Sequence, residues 1–297
     1  VWGLSFELLS RYGVFLLPRA VARELTLEAY LAVVQVVTLC IGYTLSFVLL
    51  HDPWDDLALR RPRLRAFAYA LALTPAAFVV ATGAAFQIAK PTLLAELLRG
   101  GMQEVQKNTG EFGRELTASP AWLAFVWGAL VSPIAEEAFF RGAFFTLVKD
   151  AFSSFAPRNR AGETLATDLL EDGPVVRASR AVLSWLRDGG AATLVVAVVF
   201  GWLHYDMPGG LGIVRFVSAL GLGAACGLSR QWSGSVVPPM LMHVGFNALS
   251  LATARRLVVS YFFPVKSGVP TLVAAIALVL TWGSALSYLF AQRRARA

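Results

Sequence analysis

The stretch EEAFFRG, residues 136–142, sets two adjacent carboxylates and an arginine inside one of the most apolar segments of the chain, Ala121 to Val148. A charge at the centre of a membrane helix costs about 2.5–3.5 kcal/mol on insertion scales. Three such charges are tolerated only if they pair with one another or face water. Glu137 and Arg141 stand four residues apart with the acid N-terminal, the favourable order for a pair on one helix face, and a guanidinium can fork two hydrogen bonds onto a carboxylate. Glu136 points about 100° away around the helix and is left for something else. Pro133 precedes it and lacks a backbone N–H, which predicts a loosened bond to the Ala129 carbonyl and a bend near Glu136. A buried ion pair that only fixes helix packing would explain Glu137 and Arg141. It would leave the second carboxylate unexplained.

The rest of the chain has the same apolar character. Of 297 residues, 57% are hydrophobic and 15% charged, with a mean hydropathy of +0.61. Soluble domains are nearer 45–50% apolar and about 25% charged. The expected fold class is therefore all-α, a polytopic transmembrane helix bundle with its cavity between core helices. Stretches of about 20 apolar residues fall at 29–50, 66–89, 120–148, 191–207, 211–229, 234–253 and 269–290, which gives seven spans, or eight if the N-terminal helix inserts. Alternating ten-residue segments are absent, which excludes a transmembrane β-barrel.

Three regions follow from this: an N-terminal membrane segment 1–118, a core 119–253 with a polar insert 149–190, and a C-terminal membrane segment 254–297. The N-terminal 24 residues lack a basic n-region and read as an interfacial helix. Residues 90–118 read as a polar connection with an amphipathic helix, and the insert as a helical cap around ASRAVLSWLRD. The patch LVVSYFFP (257–264) is too short to span.

The net charge of +7 is carried by arginines between apolar stretches, as in loops facing anionic headgroups. No basic stripe interleaved with aromatics supports nucleic-acid binding. Lys and Arg are more abundant in 51–65, 149–190, 230–233 and the C-terminal tail than in the alternate connections, which predicts a cytoplasmic C-terminus. Cys40 and Cys226 lie in apolar segments and read as small buried hydrophobes.

Two further motifs carry chemistry. FGWLHYD (200–206) puts His204 near the end of a span, four residues after Phe200. MLMHVGFNAL (240–249) puts His243 and Asn247 on one face of an otherwise apolar helix. Two polar side chains on one such face call for a common polar partner or cavity. The third histidine, His51, sits beside Asp52 at a loop edge and reads as solvated.

A carboxylate and an imidazole can hold and deprotonate a water. A second imidazole and an amide can donate to the oxyanion formed when that water attacks a peptide bond. The Glu137–Arg141 pair would fix the helix and the local field. Glu136, His204 and His243 would equally suit a divalent metal such as zinc with an open water position. Residue types alone do not separate the two mechanisms.

EEAFFRG, FGWLH (200–204) and HVGFN (243–247) resemble the EExxxR, FxxxH and HxxxN motifs of the CPBP intramembrane proteases. That family contains the CAAX-processing type II prenyl endopeptidases and the bacterial abortive infection membrane proteins. All motif positions match, in order, over residues 136 to 247. The resemblance implies that Glu136 and His204 activate water while His243 and Asn247 stabilise the oxyanion, with Glu137, Arg141 and Phe200 in support. The family has been described both as metalloprotease and as metal-independent glutamate protease; the glutamate mechanism, requiring no cofactor, is the expectation here. The expected partners are the bilayer and a membrane-associated protein or peptide substrate, and the expected location is the bacterial inner (cytoplasmic) membrane. The long insert and the unmatched first 115 residues leave the substrate open, with peptide precursors and C-terminal sorting tails as the expected kinds.

Other intramembrane proteases need residues this chain lacks. There is no HExxH, Asp206 has no GxGD partner, and Ser233 in QWSGS lacks the preceding glycine of a rhomboid-type GxSG. The rival from another class is a non-catalytic transporter, immunity factor or scaffold that uses the polar cluster as a pathway or lock.

Overall fold

The computed structural model describes residues 52–107, 120–155, 182–205 and 208–254, with scattered positions of a helix between 33 and 48. Among the described residues all regular structure is helical. A single turn, α1 (Pro53–Asp56), precedes the long α2 (Leu64–Lys107). The helix α3 occupies 121–155, α4 is Ala191–Leu203, α5 is Gly209–Ser233 and α6 is Val237–Ala254.

Four helices among the described residues are long and apolar enough to cross a membrane: Leu64–Gly100, Trp122–Ser153, Val182–Leu203 and Gly209–Ser233. The chain is thus an all-α polytopic membrane protein. These four coincide with the expected spans at 66–89, 120–148, 191–207 and 211–229. The expected span 234–253 is α6, which falls outside that set because Pro238, Pro239, His243 and Asn247 lower its hydropathy. The expected span 29–50 is helical at its described positions. The span at 269–290, the N-terminal helix, the 257–264 patch, His51 and Asp206 lie outside the described residues. Cys226 is buried as expected, whereas Cys40 is exposed. A helix at the outside of a bundle can turn an apolar residue toward lipid rather than into a core.

The polar stretch 90–118 does not begin as a connection. The helix α2 continues without interruption to Lys107. Its residue Glu96 is buried and accepts a hydrogen bond from the Gly210 N–H at 3.0 Å. That N–H belongs to the first turn of α5, where backbone donors have no partner within the helix and a carboxylate is favoured.

Before α4, residues 182–188 are also helical, but Gly189 has φ +118° and breaks the helix. The expected cap around ASRAVLSWLRD therefore ends at a turn that only glycine adopts freely. The helix that resumes after this turn, α4, has 13 residues and is about 20 Å long at 1.5 Å per residue.

Small residues let the helices close up. A Cβ on Gly221 would stand 2.7 Å from the Ala81 Cβ of α2, and one on Gly223 would stand 3.0 Å from the Ala197 Cα of α4. The helix α5 is thus clasped between α2 and α4, as small-residue interfaces allow in membranes. Phe78, Phe140, Phe200, Leu222 and Phe246 fill the centre.

At one end of the bundle, Val236 N–H donates to the Ala58 carbonyl at 2.9 Å and Ser235 Oγ donates to the Arg60 carbonyl at 2.7 Å. Gln231 Nε2 donates to the Asp188 carbonyl at 3.3 Å. The segments before α2 and before α4, with Arg60 and Arg187, and the turn after α5, with Arg230 in the last turn of that helix, therefore gather at one end of the bundle.

Gly221→Ala is expected to destabilise the fold by about 1–3 kcal/mol, because the Ala81 methyl has no rotamer in which to yield. Gly83→Ala, where an added Cβ meets nothing within 4 Å, is expected to be neutral or to stabilise α2 by up to about 1 kcal/mol. Thermal unfolding in detergent compares the two.

Candidate functional site

The helix α3 carries the first motif, and its winding is not uniform. Phe125–Val131 and Ala138–Phe144 are π-helical, on either side of the α-helical Ser132–Glu137. In the first π segment the Ser132 N–H reaches the Trp127 carbonyl, five residues back. In an α-helix the Pro133 ring would press on the carbonyl four residues earlier, and a wider turn relieves that contact. The proline thus re-registers the helix just before the two glutamates.

Arg141 and Glu137 are completely buried. Arg141 Nη1 donates to Glu137 Oε1 at 2.9 Å, and its Nη2 donates to the Gly223 carbonyl of α5 at 3.0 Å. Its guanidinium carbon lies 4.8 Å from the centre of the Phe200 ring. Arg230 Nε in turn donates to the Arg141 carbonyl at 3.0 Å. The pair expected from the i,i+4 spacing is therefore the hub of a larger network. Glu137 Oε1 accepts a second hydrogen bond, 2.9 Å from His243 Nδ1 on α6.

These contacts assign the imidazole protons. A carboxylate bonded to Arg141 only accepts, so His243 carries its proton on Nδ1. His204 Nδ1 lies 2.7 Å from the Phe200 carbonyl, another pure acceptor, and so also carries its proton there. In the neutral rings both Nε2 atoms hold lone pairs. Both face the same place: Glu136 Oε2 lies 3.9 Å from His204 Nε2 and 3.8 Å from His243 Nε2. Those separations exceed a direct hydrogen bond and suit a single small group shared by all three. Glu136 Oε2 is buried and accepts no hydrogen bond from the described residues. Its other oxygen, Oε1, accepts a hydrogen bond from Ser132 Oγ at 2.5 Å.

The side chains differ in access. Those of Glu136 and His204 are 24% and 28% exposed, against 2% for His243. The cluster therefore opens on the Glu136–His204 side and is closed behind His243. Phe200 is fully buried and packs on both rings, tilted against His204 with centroids 4.4 Å apart and edge-on to His243 at 5.5 Å.

Asn247 sits one turn beyond His243 on α6. Its Nδ2 donates to the Gly128 carbonyl at 2.9 Å. One of its two amide protons is thus anchored on α3 and the other remains for a ligand. The structure brings Glu136, His204 and His243 around one point and ties Asn247 to the middle of the first π segment. Sequence reasoning missed Ser132 and the Gly128 carbonyl. Ser132 had a legible signal, since it stands four residues before Glu136 on the same face.

Glu136, His204 and His243 are the residues that would hold a metal. Tetrahedral zinc with bonds of about 2.0–2.1 Å draws its ligand atoms to roughly 3.3 Å from one another. In this geometry no group of three His, Cys, Asp or Glu among the described residues has metal-ligand spacing.

Comparison with known proteins bears on the same stretch. Residues 118–249 match the family described as Type II CAAX prenyl endopeptidase Rce1-like. The match takes in all three motifs and shows the resemblance for that part of the chain. No curated protein and no solved structure matches the chain.

Arg141→Ala would leave Glu137 as a buried, half-paired charge, and such losses run to about 3–5 kcal/mol. The expected result is a sharp fall in folded protein in the membrane. Glu136→Gln, at a partly exposed site, is expected to accumulate normally. Quantitative blotting of detergent-soluble protein, with size-exclusion profiles, distinguishes the two.

Proposed function

We propose that this protein is an intramembrane endopeptidase in which Glu136 and His204 activate a water that attacks a peptide bond. The observation that carries this reading is the convergence of Glu136 Oε2 with two imidazole Nε2 atoms at 3.8 and 3.9 Å, in a cluster whose Glu136 and His204 side chains are partly exposed. The match of residues 118–249 to a CAAX-type endopeptidase family supports the same class of reaction.

Water held by Glu136 Oε2 and His204 Nε2 loses a proton to Glu136 as its oxygen bonds to the scissile carbonyl carbon. The negative charge that develops on the carbonyl oxygen is met by the free Nδ2–H of Asn247 and by Nε2–H of His243 in its imidazolium form. Glu136 and Glu137 together balance Arg141 and that imidazolium, and Glu137 holds its Nδ1–H. Collapse of the tetrahedral intermediate breaks the C–N bond, and Glu136 returns its proton to the leaving amine. The products are a new C-terminal carboxylate and a new N-terminal amine.

The reaction needs no cofactor on this reading. The substrate is a membrane-associated protein or peptide precursor, with no requirement for a prenyl group. The cell compartment is the bacterial inner membrane, with the arginine-bearing end of the bundle toward the cytoplasm.

Membrane fractions from cells carrying the native protein and Glu136→Gln at equal abundance, surveyed for peptide termini by mass spectrometry, test the reading. New termini are expected only with the native protein, and the rate on any substrate so found should fall by about 10²–10⁴-fold in the variant. Identical termini across well-covered membrane proteins would return the cluster to a structural or transport role. With a substrate in hand, preincubation with a strong zinc chelator is expected to leave the rate unchanged; a loss restored by added zinc would move Glu136, His204 and His243 to metal ligation.

A further inference from the structure

The Gly128 carbonyl has no backbone donor in either helical register available to α3. In an α-helix its partner would be the Ser132 N–H, but that group bonds to the Trp127 carbonyl in the π turn. In the π register its partner would be the N–H of residue 133, and Pro133 has none. A carbonyl left over inside a membrane bundle must find a donor elsewhere. It finds the side-chain amide of Asn247, from a helix 119 residues further on, at 2.9 Å.

We propose that Pro133 is a positioning residue: by withholding a backbone N–H it reserves the Gly128 carbonyl for Asn247 and so sets the direction of that amide at the cleavage site. The inference rests on the protease reading for its catalytic consequence and on geometry alone for the docking. An amide is planar. Fixing one Nδ2–H on a rigid carbonyl therefore directs the other within a narrow range, and His243, one turn earlier, is fixed by Glu137 in the same way. Both polar groups of α6 are thereby aimed by α3. The reason for a proline in this helix is then the hydrogen bond it does not make.

Pro133→Ala restores the missing donor. Its N–H can bond within α3, either to the Gly128 carbonyl in the π register or to the Ala129 carbonyl in a restored α-helix, where Ser132 would take Gly128. In both cases Asn247 loses its anchor. Pro133→Ala in the full chain is expected to accumulate at least as well as the native protein, to lower kcat by tenfold or more, and to leave KM unchanged. Replacing Pro133 by lactic acid, an amide-to-ester substitution that also lacks the N–H, is expected to retain near-native kcat.

A cycle read without activity tests the docking itself. Asn247→Ala should lower the melting temperature in the native background, and by less than half as much in the Pro133→Ala background. Unchanged kcat in Pro133→Ala, or an equal Asn247→Ala penalty in both backgrounds, overturns the proposal. If Pro133→Ala does not accumulate, the ester protein decides: native kcat and a native Asn247→Ala penalty support the proposal, and loss of both assigns the effect to the ring. Failure of the protease reading would remove the kcat comparison and leave the melting cycle intact.

Discussion

The organisation of this bundle depends on keeping one fully buried guanidinium satisfied. An unpaired ion in a low-dielectric interior carries a penalty of several kcal/mol, and partners in good geometry are needed to offset it. Arg141 draws those partners from three other helices directly or through one intermediate: the Gly223 carbonyl from α5, the Phe200 ring from α4, and His243 from α6 by way of Glu137. The helices that carry the cluster are thus brought to one point by a single buried charge. The glycine at 223 belongs to the same arrangement, since a side chain there would strike α4 where the guanidinium approaches.

A division of labour between adjacent glutamates follows. Glu137 is sealed in and spends both interactions of its Oε1 on Arg141 and His243. Glu136, one residue earlier, is held by Ser132 through one oxygen and turns the other toward the two imidazoles. Two identical side chains acquire different partners and different exposure from adjacent positions on one helix.

Much of this was legible before any coordinates. Charge inside apolar sequence marked the site, and the i,i+4 spacings of Glu137 with Arg141 and of His243 with Asn247 marked shared faces. Four expected spans coincide with helices fit to cross a membrane. What sequence could not supply were contacts made across large separations. The i,i+4 rule pairs Glu137 with Arg141 but is silent about His243, 106 residues away. Proline chemistry pointed to the Ala129 carbonyl as the one released; the π turn moved the vacancy one residue, to Gly128. The unbroken continuation of α2 through residues 90–107 was hidden because its polar residues read as a connection holding a separate amphipathic helix, whereas Glu96 is turned inward to cap α5.

The cluster sits between helices long and apolar enough to cross a membrane, at the C-terminal end of α4 and midway along α3. A hydrocarbon layer offers no water to satisfy free backbone groups at such a depth. A polypeptide reaching that depth as a helix keeps its carbonyls engaged with its own N–H groups and offers no free bond to attack. Only a segment already unwound, or one whose helix ends near that level, can present an amide there. Selection among membrane proteins would then be governed less by side-chain fit than by how readily a stretch of backbone gives up its helical hydrogen bonds inside lipid.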